Sequence, residues 1–507
     1  MKANHRSLKL LINGRPLEQV NISQIHAAML SASITCESIV DAYLKNIDRN
    51  NQKGACLNAI VTMNNSAVDV ARQLDAQLLS SKQLIRPLHG IPMVVKDCLE
   101  TTDMPTSFGS NLFSQYMAKK DATVISKLRD AGAVIIAKTT LPDWATSWFG
   151  YSSRSGETKN PYDLDRDPGG SSSGTGAAIA AGFAAAGIGT DCGGSVRLPS
   201  SFCNLVGVRA TPGMMSRQGC NPLVALQDTI GPMARSVSDA VKVFEVICGF
   251  DENDPLTATY NISKATSNYS QQLVPDALKN LRLGVVRNAF GSDQDENCRP
   301  VNQVMNAAIE QLAAGGAFVS DVEIPNLAES LDATSLYLLK SKYDLNLFLN
   351  ARPEAPMKTI EEIVSAGHYH PKLDLLEGIA NGPDDPLSDL DYYKAYAERD
   401  NLMLLITSIM DKGGYDALVY PTAQVPPPLR SETDSGRWTT LNFPTNTLIS
   451  SQTSMPAMTV PAGSTEKGLP IGMEILTRPY DEAMMFRVGF GFEQIRDHRR
   501  QPACTSG

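Results

Sequence analysis

The chain has 507 residues, 42% of them hydrophobic and 20% charged, with a formal net charge of −9. This acidic balance argues against nucleic acid or an anionic membrane surface as the main partner, and no window nears the ~18 consecutive apolar residues of a membrane span. Nine cysteines are scattered without CxxC or Cys/His ligand spacing, which reads as free thiols in a reducing compartment and speaks against a zinc site.

At the N-terminus one short apolar patch, Leu8 to Ile12, is broken at once by Asn13, Gly14 and Arg15. No secretory signal is expected, and the protein reads as cytoplasmic. Ile22 to Asn50 holds two helical periods, the second opening near Thr35 with Glu37 in its first turn. Leu57 to Met63 is strand-like, Ser66 to Leu79 helical, and Ile91 to Lys96 a buried strand after the His89-Gly90 turn. A helix over 122–131 precedes a second buried strand over 133–138. Asp167 to Thr211 then packs two Ser/Gly clusters around a small-residue run. Gly169-Gly170-Ser171-Ser172-Ser173-Gly174 comes first, a buried helix and strand follow over 177–189, and Gly193-Gly194-Ser195 closes the segment. Beyond it the pattern predicts a helix over 236–248, a strand over 281–286, a helix over 301–314 and a strand over 317–324. Residues 326–413 break the rhythm as a helical insertion, expected to shape an active-site mouth. Strands over 417–420, 457–460 and 471–476 and an amphipathic helix over 480–495 complete the chain. Segments 252–278 and 498–507 are polar and expected to be loose. The alternation predicts a single α/β domain over 1–507, with a mixed central sheet covered by helices on both faces.

Glycine-flanked serine turns suit a nucleophile beside free backbone N–H donors, because glycine lets successive amides converge on one small space. In Thr190-Asp191-Cys192-Gly193-Gly194-Ser195, the N–H groups of Cys192, Gly193, Gly194 and Ser195 are the candidates for such an oxyanion site. The competing reading is a plain glycine turn with serine as filler. GGSSSGTG leads into a helix, as a phosphate-binding loop would, but lacks both the Gly-Lys-Ser/Thr ending and a preceding strand. None of the six histidines (His5, His26, His89, His368, His370, His498) lies in either cluster. Lys96 instead closes a buried apolar strand, where desolvation favours a neutral amine that can act as a base. The bland alternative pairs it with Asp97 or Glu100. Cys98 and Cys192 lie beside the same chemistry as rival nucleophiles.

These segments carry a resemblance. PGGSS, the small-residue helix, GTDxGGSVRxP and FCNLVGVRAT resemble the amidase signature family of Ser-Ser-Lys amide hydrolases. So do LHGIPMVVKD (88–97), AKTTLPDWA (137–145), YPTAQVPPP (420–428) and MPAMTVPAG (455–463), which extends the resemblance over nearly the whole chain. It implies the amidase signature fold, with Ser195 as the acyl-accepting nucleophile, Ser171 as a bridging serine after a cis peptide bond, and Lys96 as the final base. The oxyanion is then expected at the backbone N–H groups of Cys192 to Ser195, with Asp191 and Arg197 structural. The Ser173-Gly174 ending is similar to that of the family's peptide amidases. No metal or organic cofactor is implied. The expected reaction is hydrolysis of the C–N bond of a neutral amide, with esters or carbamates as further substrates.

On the substrate side, Met93, Trp148, Tyr151 and Ser172 are candidate pocket walls, together with the insertion around 337–349. For the aromatic residues, Trp144 and Phe149 included, core packing is the rival role. No cationic clamp for a carboxylate stands out. A small-molecule amide is the expected partner, without nucleic acid or membrane, for a monomer or homodimer. Two alternatives stand beside this reading: an amidotransferase subunit that releases ammonia from glutamine for partner subunits, and a non-catalytic nucleotide-binding module.

Overall fold

The computed structural model describes residues 10–263, 268–496, 498–502 and 504. Its main sheet has eleven strands. In chain order these are β1 (Ile60–Met63), β2 (Pro92–Lys96), β3 (Val134–Thr139), β4 (Ala186–Asp191), β5 (Val206–Arg209) and β6 (Thr229–Ala234), followed by β7 (Arg282–Val286), β8 (Phe318–Val322), β9 (Ala417–Pro421), β10 (Ala457–Ser464) and β11 (Pro470–Leu476). Across the sheet the order is β8-β7-β9-β11-β10-β5-β6-β4-β2-β3-β1. Parallel pairing joins β7 to β8 and β9 toward one end and β2 to β3 and β4 toward the other, where the edge strand β1 pairs antiparallel with β3. The middle, from β9 to β4, is antiparallel.

Strands β2 and β3 are buried along their whole length, as continuous apolar runs must be when helices cover both faces. Thr35 caps the helix Cys36–Asn50, its side chain accepting from Ser38 N, so the signal read at Thr35 is a true helix start. The helix Ser173–Ala180 is built of small residues and is fully buried. A Cβ on Gly174 would come within 2.3 Å of Ala59 O and 2.4 Å of Thr140 N, so glycine there lets the helix lie against the sheet.

β5 and β6 were not anticipated, although they join the two halves of the sheet. Pro232 in β6 pairs with Ile188 of β4, and a proline inside a run argues against a central strand when only sequence is read. Residues 326–413 do form helices between β8 and β9: Leu327–Ala333, Tyr337–Asn350, Ile360–Ser365, Asp374–Ala380 and Leu390–Gly413. The segments expected to be loose are anchored where described. Tyr269 is buried edge-on against Phe244 and Phe486, His498 stacks on Phe492 at 5.1 Å, and Cys504 Sγ donates to Pro161 O at 2.9 Å. A few aromatic and sulfur contacts override polar composition in both places. Leu8, residues 264–267, 503 and 505–507 lie outside the described residues. No helix among the described residues is long and apolar enough to cross a membrane.

Candidate active site

The central strands deliver the chemistry to one end of the sheet. Lys96 is the last residue of β2, and Asp191 the last of β4. The turn after β4 carries Cys192 to Val196 into the helix Arg197–Phe202. Ser171 and Ser172 precede the helix Ser173–Ala180, and Ser172 N donates to Ser195 O at 3.1 Å. That bond ties the two Ser/Gly clusters together. The Gly170–Ser171 peptide bond is cis.

Lys96 is fully buried, and its Nζ donates to Ser171 Oγ at 2.7 Å and to Thr190 Oγ1 at 2.8 Å. Among the described residues no carboxylate forms an ion pair with it. Asp97 pairs with Lys138 at 3.4 Å, and Glu100 with Arg352 at 2.6 Å, which disposes of the two bland partners. Burial pushes the Lys96 amine below its ordinary value, against the weaker pull of Cys98, Cys220, Asp191 and Asp228. Thr190 had no signal of its own in the sequence, because a threonine at a strand end is ordinary until the lysine is seen beside it.

Two cavities meet at Ala145, Ser195 and Leu223. The larger, about 310 Å³, is lined by Ser171, Thr190 and Cys192 at its base and by Arg217, Asp228 and Phe348 on its walls. The smaller, about 120 Å³, is lined by Gly193, Trp148, Tyr337, Leu448 and Gln452. Ser195 and Ser171 therefore face one space, although no hydrogen bond joins their hydroxyls among the described residues; such contacts are commonly loose before substrate binds. None of the described histidines lines either cavity.

Of the four proposed wall residues, Trp148 is on a cavity and three are not. Met93 is buried inside β2. Tyr151 stacks on His370 at 4.7 Å and donates to Lys372 O at 3.0 Å. Ser172 packs under β4, where a Cβ on Gly189 would meet its Oγ at 2.6 Å. The error has one source: nearness in sequence to the signature does not fix which way a side chain points. Residues 217–229 supply walls that the sequence reading passed over.

The amide donors also differ from expectation in one respect. Gly194 N–H donates to Asp191 Oδ1 at 2.9 Å, so it holds the turn and is not free for an oxyanion. Cys192, Gly193 and Ser195 remain, with no protein acceptor for their N–H groups among the described residues. Asp191 is as structural as expected, since Arg197 and Arg209 reach its carboxylate at 3.0 and 3.1 Å. Burial alone would raise the Asp191 carboxyl, but the two guanidiniums hold it well below the usual range. The thiol rivals fare poorly. Burial and Asp228 keep the Cys192 thiol well above its ordinary value, hence protonated, and Cys98 is fully buried and lines neither cavity.

Charged groups on the larger cavity are mostly paired. Arg217 is bound to Asp254 at 2.6 Å and Lys340 to Asp344 at 2.8 Å. Burial pushes the Asp228 carboxyl up to about 6.

The comparisons with known proteins fit this geometry. The family model described as Amidase matches residues 38–486. The chain belongs to the amidase signature family. A glutamyl-tRNA(Gln) amidotransferase subunit from Acidobacterium capsulatum is 32% identical over 478 residues, covering 92% of this chain and 98% of the relative. Among solved structures, the native peptide amidase from Stenotrophomonas maltophilia is 30% identical with a TM-score of 0.86, covering 96% of this chain and 99% of that one. An amidase family protein from Bacillus anthracis is 28% identical with a TM-score of 0.82, covering 96% and 92%. Family membership makes this chain an amide-hydrolysing enzyme with the amidase signature fold, and sets aside the nucleotide-binding module.

Proposed function

We propose that this amidase cleaves neutral amides through an acyl-enzyme at Ser195, with Ser171 and Lys96 as its proton relay. The observation that carries the reading is the 2.7 Å hydrogen bond from buried, carboxylate-free Lys96 to Ser171 Oγ, at the base of a cavity that Ser195 also lines. Ser195 Oγ attacks the carbonyl carbon, and its proton passes to Ser171 while Ser171 passes its own to the neutral Lys96 amine. The oxygen that becomes negative takes the free N–H groups of Cys192, Gly193 and Ser195. Return of the proton through Ser171 to the nitrogen breaks the C–N bond and releases the amine. Water then attacks the Ser195 ester, assisted by the same relay, and frees the carboxylic acid.

Neutral amides are favoured because Arg217 is already held by Asp254, while Asp228 and Asp344 add acidic groups to the same wall. A substrate carboxylate would find no free cation there among the described residues. Esters and carbamates present a similar carbonyl and are expected as secondary substrates. We also hold the chain to be one cytoplasmic catalytic domain that acts as a monomer or homodimer; the cysteines, free among the described residues, suit a reducing compartment. The likeness to an amidotransferase component keeps a second reading in view, in which partner subunits are needed and glutamine is the substrate.

The test is a panel of peptide amide, anilide, carbamate and glutamine, offered to the purified chain alone and to Ser195→Ala, with amine or ammonia release measured. Turnover of neutral amides by the wild type and not by Ser195→Ala is expected. Turnover of glutamine alone, or only after partner subunits are added, would transfer the assignment to the amidotransferase reading. Equal rates from both proteins would end the role of Ser195.

A further inference from the structure

Each carbonyl from Asp191 to Gly194 is held by a hydrogen bond. Arg209 donates to Asp191 O at 2.6 Å, Gln227 Nε2 to Cys192 O at 2.6 Å, Thr447 Oγ1 to Gly193 O at 2.6 Å, and Leu198 N to Gly194 O at 2.7 Å. A trans peptide unit is planar, with its C=O and the following N–H pointing in opposite directions. Pinning the carbonyl of one residue outward therefore aims the N–H of the next inward. Arg209 in this way directs Cys192 N–H, Gln227 directs Gly193 N–H, and Leu198 directs Ser195 N–H. Thr447 sets Gly194 N–H, which is the one satisfied by Asp191.

Gln227 differs from the other three because a side-chain amide can turn over and present its oxygen instead. Here it cannot do so freely. Arg399 Nη1 donates to Gln227 Oε1 at 2.7 Å, which leaves Nε2 as the end that faces Cys192 O. Arg399 is itself buried and fixed by Thr334 O and Ser451 O, both at 3.3 Å. It belongs to the long helix Leu390–Gly413, far along the chain in the helical insertion.

We infer that Gln227, locked by Arg399 of the helical insertion, is a positioning residue that aims Gly193 N–H at the oxyanion. The inference rests on Ser195 being the nucleophile. It gives the insertion a second duty besides forming cavity walls: it completes the turn on which the nucleophile sits.

Phenylboronic acid separates the two ideas. Its boron accepts Ser195 Oγ, the serine proton leaves through Ser171 to Lys96, and the resulting tetrahedral anion places an oxygen where the oxyanion would be. Binding of phenylboronic acid by calorimetry and hydrolysis of N-acetyl-phenylalaninamide would be measured for the full chain, Ser195→Ala, Gln227→Glu and Arg399→Lys, with thermal unfolding as a check of folding. Gln227→Glu keeps the size and the bond to Arg399 but turns an acceptor toward Cys192 O. It should lower kcat roughly tenfold to a hundredfold with KM changed less than about twofold, and weaken phenylboronic acid by the same factor as kcat. Arg399→Lys should shift the same two quantities in the same direction, and it decides the matter if Gln227→Glu does not fold. Unchanged kcat, or a fall in kcat with undiminished phenylboronic acid binding, overturns the inference. A wild-type chain that binds phenylboronic acid no better than Ser195→Ala overturns the Ser195 reading, and the inference with it.

Discussion

Lys96 sits where its charge has least support: fully buried, with two hydroxyl oxygens as acceptors and no ion pair among the described residues. Burial lowers its affinity for a proton, and only the neutral amine can take one from Ser171. In the proposed relay the lysine below its folded pKa is an ammonium that cannot accept the proton, and above it the amine is ready. The rate kcat/KM should therefore rise with pH along a limb centred below lysine's ordinary 10.5, and Lys96→Ala should lose roughly 10²- to 10⁴-fold in rate while still unfolding cooperatively. A pH profile from 5 to 10 on both proteins checks this, and full activity in Lys96→Ala would remove the lysine from the mechanism. That Lys96, Ser171 and Ser195 would be gathered at one place was legible in the sequence, because each lies in a short segment whose neighbours mark it. Thr190, Gln227 and Arg399 were not, since their roles exist only once the chain has brought distant side chains within hydrogen-bond distance.

At the scale of the turn, the backbone is held so closely that side chains have no room. Gly194 has φ 121° and a Cβ there would lie 2.1 Å from Thr447 Oγ1, so both conformation and space demand glycine. Gly193 is a different case, because a Cβ would meet the hydroxyl of Tyr337 at 1.9 Å but the next atom of that ring only at 3.2 Å. Gly193→Ala should thus displace the turn and cut kcat by roughly a hundredfold, a loss comparable with that of an oxyanion donor. Adding Tyr337→Phe removes the obstructing oxygen and should restore at least part of the rate. Measured kcat for the two single variants and the double variant checks this; a double variant no better than Gly193→Ala would show that the obstruction is not the cause. The same closeness explains why β5 and β6 escaped notice. A Cβ on Gly231 in β6 would come within 1.8 Å of Val208 O in β5, so the two strands approach closely at a glycine, and the alternation that signals a strand is missing there.

Over the whole molecule, one buried charge cluster fastens the catalytic turn to the far half of the sheet. Arg197 bonds Asp191 at the end of β4, Glu474 in β11, and Ser450 and Ser451 at 2.6 and 2.7 Å. The alternation of strands and helices made the layered α/β plan legible, yet it said nothing of this link, because residues 191 and 474 meet only when the sheet closes in its observed order. Removing one partner of a buried pair leaves a charge without compensation and costs about 3–5 kcal/mol. Arg197→Met should show that loss near pH 7.5, read as a lower denaturation midpoint in urea. Acid should narrow the gap. In the wild type the Asp191 carboxyl is held far below its unfolded value, so its stabilisation is present above the unfolded pKa and is lost only as pH falls through the low folded one. Burial raises the Glu474 carboxyl even beside Arg197; without the guanidinium it rises further, and Asp191 with it. The variant then takes up protons on folding at a pH where the wild type takes up fewer, and its stability recovers relative to wild type between pH 7.5 and about 4.5. A deficit of constant size across that range would mean that lost packing around Arg197, and not uncompensated charge, is what weakens the fold.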